Sequence, residues 1–238
     1  MVQDHPVPSS LIEAFSDIAQ HVYSSDDDEA SMRRITETAT SAISGCDAAS
    51  LTVLERSGPQ TRAATHDIAR IGDQIQYDMA EGPCLDAAMH ERWVYTPDLG
   101  SDSRWPRSSV RLRNELGVRS MLSCRLALDV APSNTLGGLN LYSMQESGFT
   151  ENDEMLAILL SSLGAVVVDG SRQEANLRAA VESRQVIGEA IGILRAHDPS
   201  LTREAAFQML SSASQRMNLK LRELARRIAD HEPLLDEH

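Results

Sequence analysis

Apolar positions change period along the chain, and the changes mark out its elements. Leu11, Phe15, Ile18 and Val22 recur at helical spacing over residues 11–23, and a second helix is predicted over 29–44, stopped by Gly45. The pattern then becomes strand-like over 49–55, with a turn at Ser57-Gly58-Pro59 and a partner strand over 61–65, so a hairpin is expected. Residues 80–88, with Pro83 inside, predict a turn leading into a short helix. Residues 93–99 read as a short strand and exit loop, and Arg104-Trp105-Pro106 introduces a helix ending near Leu116. Residues 117–128 and 136–143 form a second strand pair.

Past Phe149-Thr150, which cap a long helix, the apolar spacing alternates three and four. Leu156, Leu159, Leu163, Val166, Gly170, Gln173 and Leu177 lead into Ala180, Arg184, Ile187, Ile191 and Leu194. Such a stripe is what a two-stranded coiled coil or a helix hairpin buries, and one chain alone would leave it wet. Leu156, Leu159, Leu163, Val166, Leu177, Ile187, Ile191 and Leu194 are therefore the expected seam of a homodimer. Gly170 and Gln173 are weak seam residues, which predicts a softened segment or kink at 169–171 in an otherwise continuous helix. Asp198-Pro199-Ser200 ends the run, and Thr202 caps a second helix with Phe207, Leu210 and Ala213 on its apolar face. Phe207 is expected to hold this small head together. Asn218 supplies a turn, and Leu221, Leu224, Ala225 and Ile228 give a third short helix.

Charge separates the head from the rest. The chain of 238 residues has a formal net charge of −13, yet the stretch 195–227 holds seven bases (Arg195, Arg203, Arg216, Lys220, Arg222, Arg226, Arg227) and three acids (Asp198, Glu204, Glu223), a net of +4. Nucleic acid is a reasonable partner for this part alone; a solvated helix face has the same composition. The start has no signal-like segment, and no run approaches the roughly eighteen apolar residues that span a bilayer, so a cytosolic protein without membrane contact is expected. Three scattered cysteines (Cys46, Cys84, Cys124) fit neither a disulfide framework nor a zinc site, and no metal is expected. Cys84, in the predicted first turn of a helix, is either an activated thiolate or a small buried wall residue. Tyr77, Cys84, Trp105 and Cys124 are the candidates for lining a ligand pocket. Arg104 and Arg107 either hold an anion or pair with Asp98 and Asp102. No Ser/His/Asp order, P-loop or paired-carboxylate site stands out, so the chain is not read as an enzyme and no catalytic residue is assigned.

Two stretches resemble known families. The run 177–224, Leu-Arg-Ala-Ala-Val-Glu-Ser-Arg-Gln-Val-Ile-Gly-Glu-Ala-Ile-Gly-Ile-Leu-Arg and then Glu204 to Ala225, resembles the ANTAR family of bacterial RNA-binding output modules. Glu81 to Ala88, Asp98 to Pro106, Gly117 to Cys124 and Gly137 to Ser143 look like the GAF sensor domains that precede ANTAR modules in actinobacterial regulators. The resemblances imply an α+β chain: a GAF-like antiparallel sheet with helices on one face and a ligand cleft on the other, then a coiled-coil helix and an all-α three-helix head. The domains are a tail (1–10), the sensor (11–165), a helical connector (166–176), the head (177–230) and a tail (231–238). The resemblance further implies transcription antitermination, a dimer holding paired RNA hairpins so that the overlapping terminator cannot form. Arg184, Arg195, Arg203, Arg216, Lys220 and Arg222 are then the expected phosphate contacts, and Gln215 and Asn218 the base contacts. Many ANTAR sequences carry lysine where Ile191 sits, and the loss of that charge either weakens RNA binding or shifts its load to Arg184 and Arg195. The sensor's signal, small molecule or protein, and any cofactor are not legible. A DNA-binding regulator, a Cys84-dependent redox sensor or enzyme, and a head that only dimerises and docks a partner are the other readings.

Overall fold

The computed structural model describes residues 27–128 and 135–230. The helix expected over 11–23 and the two tails lie outside the described residues. Two compact units make up the chain, Met1–Ser171 and Arg172–His238.

The first unit is built on a five-stranded antiparallel sheet with strand order β2-β1-β5-β4-β3, from β1 (Ala48–Glu55), β2 (Gly58–Ala64), β3 (Trp93–Thr96), β4 (Ser120–Leu126) and β5 (Gly137–Ser143). Both expected strand pairs form, β1 with β2 and β4 with β5, and Leu122 lies opposite Leu141 in the second. Among the described residues, five helices of this unit lie around it: α1 (Asp28–Ala42), α2 (Asp67–Met79), α3 (Pro83–Met89), α4 (Ser108–Leu116) and the first part of α5 (Glu151–His197). Asp27 caps α1 by accepting from the amides of Glu29 and Ala30 at 3.1 Å. A reciprocal box starts α5, where the Asp153 carboxylate accepts from the Thr150 amide (2.8 Å) and Thr150 Oγ1 accepts from the Asp153 amide (3.3 Å).

Helices cover both faces of the sheet, which corrects the expectation of helices on one face only. The strand residues Leu51, Val53, Leu122, Cys124, Leu126, Leu139 and Leu141 pack with Ile35 and Ala39 of α1 and with Ala157, Leu160 and Val168 of α5. The alternate residues Ala48, Met121 and Tyr142 pack with Ala69 and Ile75 of α2 and Leu112 of α4. Consequently β4 and β5 are buried along their whole length, where one wet face would have given alternation.

Helix α2 is the element that the apolar pattern did not announce. Its inward face carries Asp73 and Gln76, both fully buried, beside Ala69, Gly72 and Ile75, so polarity interrupts the periodicity. Helix α5 runs unbroken through 169–171, as a continuous helix was expected to do. By length and mean hydropathy it would also be apolar enough to cross a membrane, as the core helix of a globular protein can be, and its apolar content includes the face packed on the sheet.

The second unit is a three-helix head. The last part of α5 packs with α6 (Arg203–Met217) and α7 (Leu221–Ala229) around Ala190, Ile191, Ala206, Leu210, Leu224 and Ala225. Asp198 closes the loop between the first two helices, accepting from the Ser200 amide (3.0 Å) and hydroxyl (2.6 Å). Thr202 caps α6 through the Ala205 amide at 3.1 Å. Asn218 ends α6 in the left-handed conformation (φ 51°), and the Ser214 hydroxyl donates to the Leu219 carbonyl, which fixes the turn into α7.

Candidate nucleic-acid interface

On the head, Arg184, Ile187, Gly188 and Ile191 of α5 and Arg203, Glu204, Phe207 and Gln208 of α6 line an open groove of about 610 Å³. Two of the expected phosphate contacts, Arg184 and Arg203, thus fall on one groove. Neither has an acid within 4.0 Å among the described residues. Arg195 is partly committed, its Nε donating to the Leu201 carbonyl at 3.1 Å across the α5–α6 loop. Gln215, Arg216, Asn218, Lys220 and Arg222 are exposed at and around the α6–α7 turn, away from the groove lining. Asn218 has the turn role expected of it.

Phe207 departs from expectation. It is 44% exposed on the groove wall and outside the head's core, because the inward positions of α6 are Ala206, Leu210 and Ser214. The fourfold spacing of those three residues was the signal that put Phe207 one step off the packed face. Ile191 is 6% exposed and belongs to the core, with Ile187 and Leu194 packed against it. Of the expected seam, then, Leu159 (45%), Val166 (50%) and Leu177 (66%) stay exposed, joined by Met155 and Val181. Leu156 and Leu163 are partly buried against the sheet core.

In the first unit the pocket candidates separate. Cys124 lies in the core under α1 and α5, whereas Cys84 and Tyr77 belong to a polar cluster on the other face. Trp105 is buried elsewhere, with Ala87 and Val94, its Nε1 donating to the Asp86 carboxylate at 2.8 Å and the Arg104 guanidinium 4.2 Å above its ring. The cluster centres on Asp73. Its carboxylate accepts from Tyr142 Oη (2.5 Å), Asn140 Nδ2 (2.8 Å), Thr61 Oγ1 (2.7 Å) and Thr52 Oγ1 (3.4 Å), and no cation among the described residues pairs with it. Burial holds the Asp73 pKa above the usual carboxylate range, and the hydrogen bonds oppose that shift. Sequence reading missed Asp73 entirely.

Gly82 (φ 144°) turns the chain beside this cluster, where a Cβ would meet Gln76 Oε1 at 2.4 Å. The same Gln76 oxygen accepts from the Cys84 amide at 2.9 Å, so a first-turn N–H of α3 is already engaged. Cys84 is 1% exposed, and burial, with the Asp73 charge adding to it, pushes its thiol up to about 12. It is a buried neutral thiol and not an activated thiolate. Arg104 pairs with Asp102 at 2.6 Å as expected, while Arg107 pairs with Glu81 (3.2 Å) and Asp98 pairs with Arg113 (3.4 Å).

An antiparallel five-stranded sheet helix-covered on both faces, followed by a basic three-helix head, defines a sensor domain joined to an output module. The chain belongs to the GAF domain family, which matches residues 25–169. An ANTAR domain matches residues 175–228. Comparison with curated proteins finds no match. Among solved structures, the chain is similar to the GAF domain of a phosphoenolpyruvate-protein phosphotransferase from Coxiella burnetii, at 16% identity and TM-score 0.55, over 71% of this chain and 98% of that one. The corresponding Acinetobacter domain is 15% identical, with TM-score 0.54, over 70% and 97%. A free methionine-R-sulfoxide reductase from Neisseria meningitidis is 14% identical, with TM-score 0.50, over 73% and 98%. These likenesses show the fold alone. The pairing of a signal-sensing GAF domain with an RNA-binding ANTAR module makes the chain a regulator of transcription.

Proposed function

We propose that this chain is a signal-responsive transcription antitermination factor that acts as a homodimer and holds paired RNA hairpins through its heads. The observation that carries the reading is the head's set of bases without acid partners among the described residues, Arg184, Arg203, Arg216, Lys220 and Arg222, within the segment that matches the ANTAR domain. Guanidinium and ammonium groups left unneutralised in a chain of net charge −13 suit a polyanion. The exposed stripe Met155, Leu159, Val166, Leu177 and Val181 is the surface we assign to a second copy. A small-molecule or protein signal at the GAF domain acts by repacking that stripe. The protein works in the cytoplasm, without catalysis of its own.

Titration of the full chain with tandem-hairpin RNA, the same hairpins separated, and duplex DNA, each at low and moderate salt, tests this. Tandem RNA should bind best, with affinity falling as salt rises. Duplex DNA binding at least as tightly as RNA would instead make it a DNA-binding regulator. The seam is tested by Leu159→Glu with Val166→Glu, which should yield a folded monomer in sedimentation; a persistent dimer would overturn that assignment.

A further inference from the structure

The groove on the head combines features that a merely solvated face does not need together. Phe207 exposes its ring on one wall, and Arg184 and Arg203 stand at the groove without acid partners among the described residues. Gly188, between them in the lining, is a glycine deep inside a helix, where it weakens the helix relative to alanine. No packing requires it, since an added Cβ would meet nothing within 4 Å. A side chain there would start in open space on the groove wall.

Resting on the RNA-binding reading above, we propose that this groove is a nucleobase pocket, in which one unpaired base stacks on Phe207 while Arg184 and Arg203 hold the phosphates on either side of it. The chemistry selects a base over other occupants. An aromatic ring offers a stacking face that any base can use, and guanidinium groups suit the flanking backbone. Glu204, also in the lining, makes the interior unfavourable for a phosphate, which directs the base inward and the phosphates to the arginines. Gln208 supplies an amide able to donate to and accept from a base edge. This assigns recognition of an unpaired base to α5 and α6, with Gln215 and Asn218 at the α6–α7 turn outside the pocket.

The test uses the full chain and RNA hairpins enriched by it from a pool with randomised loops. Phe207→Ala should weaken binding about 5- to 150-fold, the range of one lost base stack. Phe207→Tyr should retain it, and the salt dependence of Phe207→Ala should match wild type because no phosphate contact is removed. Gly188→Leu should weaken binding while thermal stability is kept or raised. One loop position replaced by an abasic nucleotide should cost the wild type as much as Phe207→Ala does, and should cost the Phe207→Ala variant almost nothing. Wild-type affinity in both Phe207→Ala and Gly188→Leu would overturn the pocket while leaving RNA binding intact. Enrichment of no RNA would overturn both readings. Conversion of dimer to monomer by either variant would show that a second copy occupies the groove, and would also overturn the pocket.

Discussion

Arginines in the two units keep different company. In the GAF domain Arg62, Arg104, Arg107, Arg111, Arg113 and Arg119 each lie within 4.0 Å of an acid. In the head Arg184, Arg203, Arg216 and Arg222 lie near none among the described residues, and Arg178 and Arg227 each pair with a glutamate one turn away. The buried polar groups around Asp73 follow the same division, bonding chiefly to one another, although Asn140 Oδ1 is buried without a partner. About half of the first unit's arginines are thus spent on holding its fold, with Arg33, Arg34, Arg56, Arg70 and Arg92 near no acid among the described residues, while most of the head's remain available to a partner. Charge counts alone do not reveal this. Partnership does.

The sharpest way to break the comparison is to remove the centre of the internal network. Asp73→Ala leaves Tyr142, Thr61 and Asn140 with buried hydroxyl or amide donors lacking their acceptor, and should destabilise the GAF domain by about 3 kcal/mol or more in chemical denaturation. Asp73→Asn separates shape from charge, because the hydroxyls of Thr61 and Thr52 can rotate to accept from the new amide. The Asp73 pKa is raised by folding, so its contribution to stability is present below the ordinary carboxylate pKa and is lost as pH rises through the elevated one. The melting temperature of wild type should therefore fall relative to that of Asp73→Asn as pH rises from about 4 to about 8. Parallel curves would mean that the carboxyl titrates normally.

The residues also explain what sequence could and could not disclose. Strand pairs, the proline-led helix at Pro83 and the capped starts of α5 and α6 were legible because each rests on local chemistry: alternation, a preset φ, a side chain reaching a nearby amide. Helix α2 was not, since its buried face carries Asp73 and Gln76, which look exposed until Tyr142 and Asn140, distant in sequence, are known to meet them. The expected seam meets the same limit. One heptad ran through Leu159 and Ile191 alike, yet Ile191 is consumed by Ala206, Leu210 and Leu224 in the head's own core, a contact that periodicity within one helix cannot foresee. Phe207 was placed on the apolar face of α6 by its spacing with Leu210 and Ala213, and its single-step offset from Ala206 sets it on the groove instead.

A smaller effect of opposite sign sharpens the contrast inside the first unit. Glu81 reaches across to the start of α4, where its Oε1 accepts from the amides of Arg107 (2.6 Å) and Ser108 (2.9 Å). It serves as a remote cap, and Glu81→Ala should cost about 1 kcal/mol. Burial opposes ionisation there, but the two amides and the Arg107 guanidinium together outweigh it and lower the Glu81 pKa. Its contribution is present above the ordinary glutamate pKa and is lost as pH falls through the lowered one. The deficit of Glu81→Ala should shrink on acidification, opposite to the Asp73 trend; a deficit constant with pH would mean that the carboxylate's charge plays no part.

The smallest stability effect bears most directly on the division between the units, because it comes from the same substitution made in each. Arg104 holds Asp102 at 2.6 Å and lies over the Trp105 ring, so Arg104→Ala should cost about 1 kcal/mol and leave RNA affinity and its salt dependence unchanged. Arg203 has no such partner among the described residues, and Arg203→Ala should leave stability within about 0.5 kcal/mol of wild type. Its effect should appear instead in binding: the slope of log affinity against log salt should fall by roughly one, the signature of a single lost phosphate contact. If the two variants exchanged these behaviours, or if Arg203→Ala lowered affinity equally at every salt concentration, the head's unpaired arginines would not be phosphate contacts. If both behave as stated, one residue type does structural work in the sensor and binding work in the head, and what decides between them is whether an acid lies within reach.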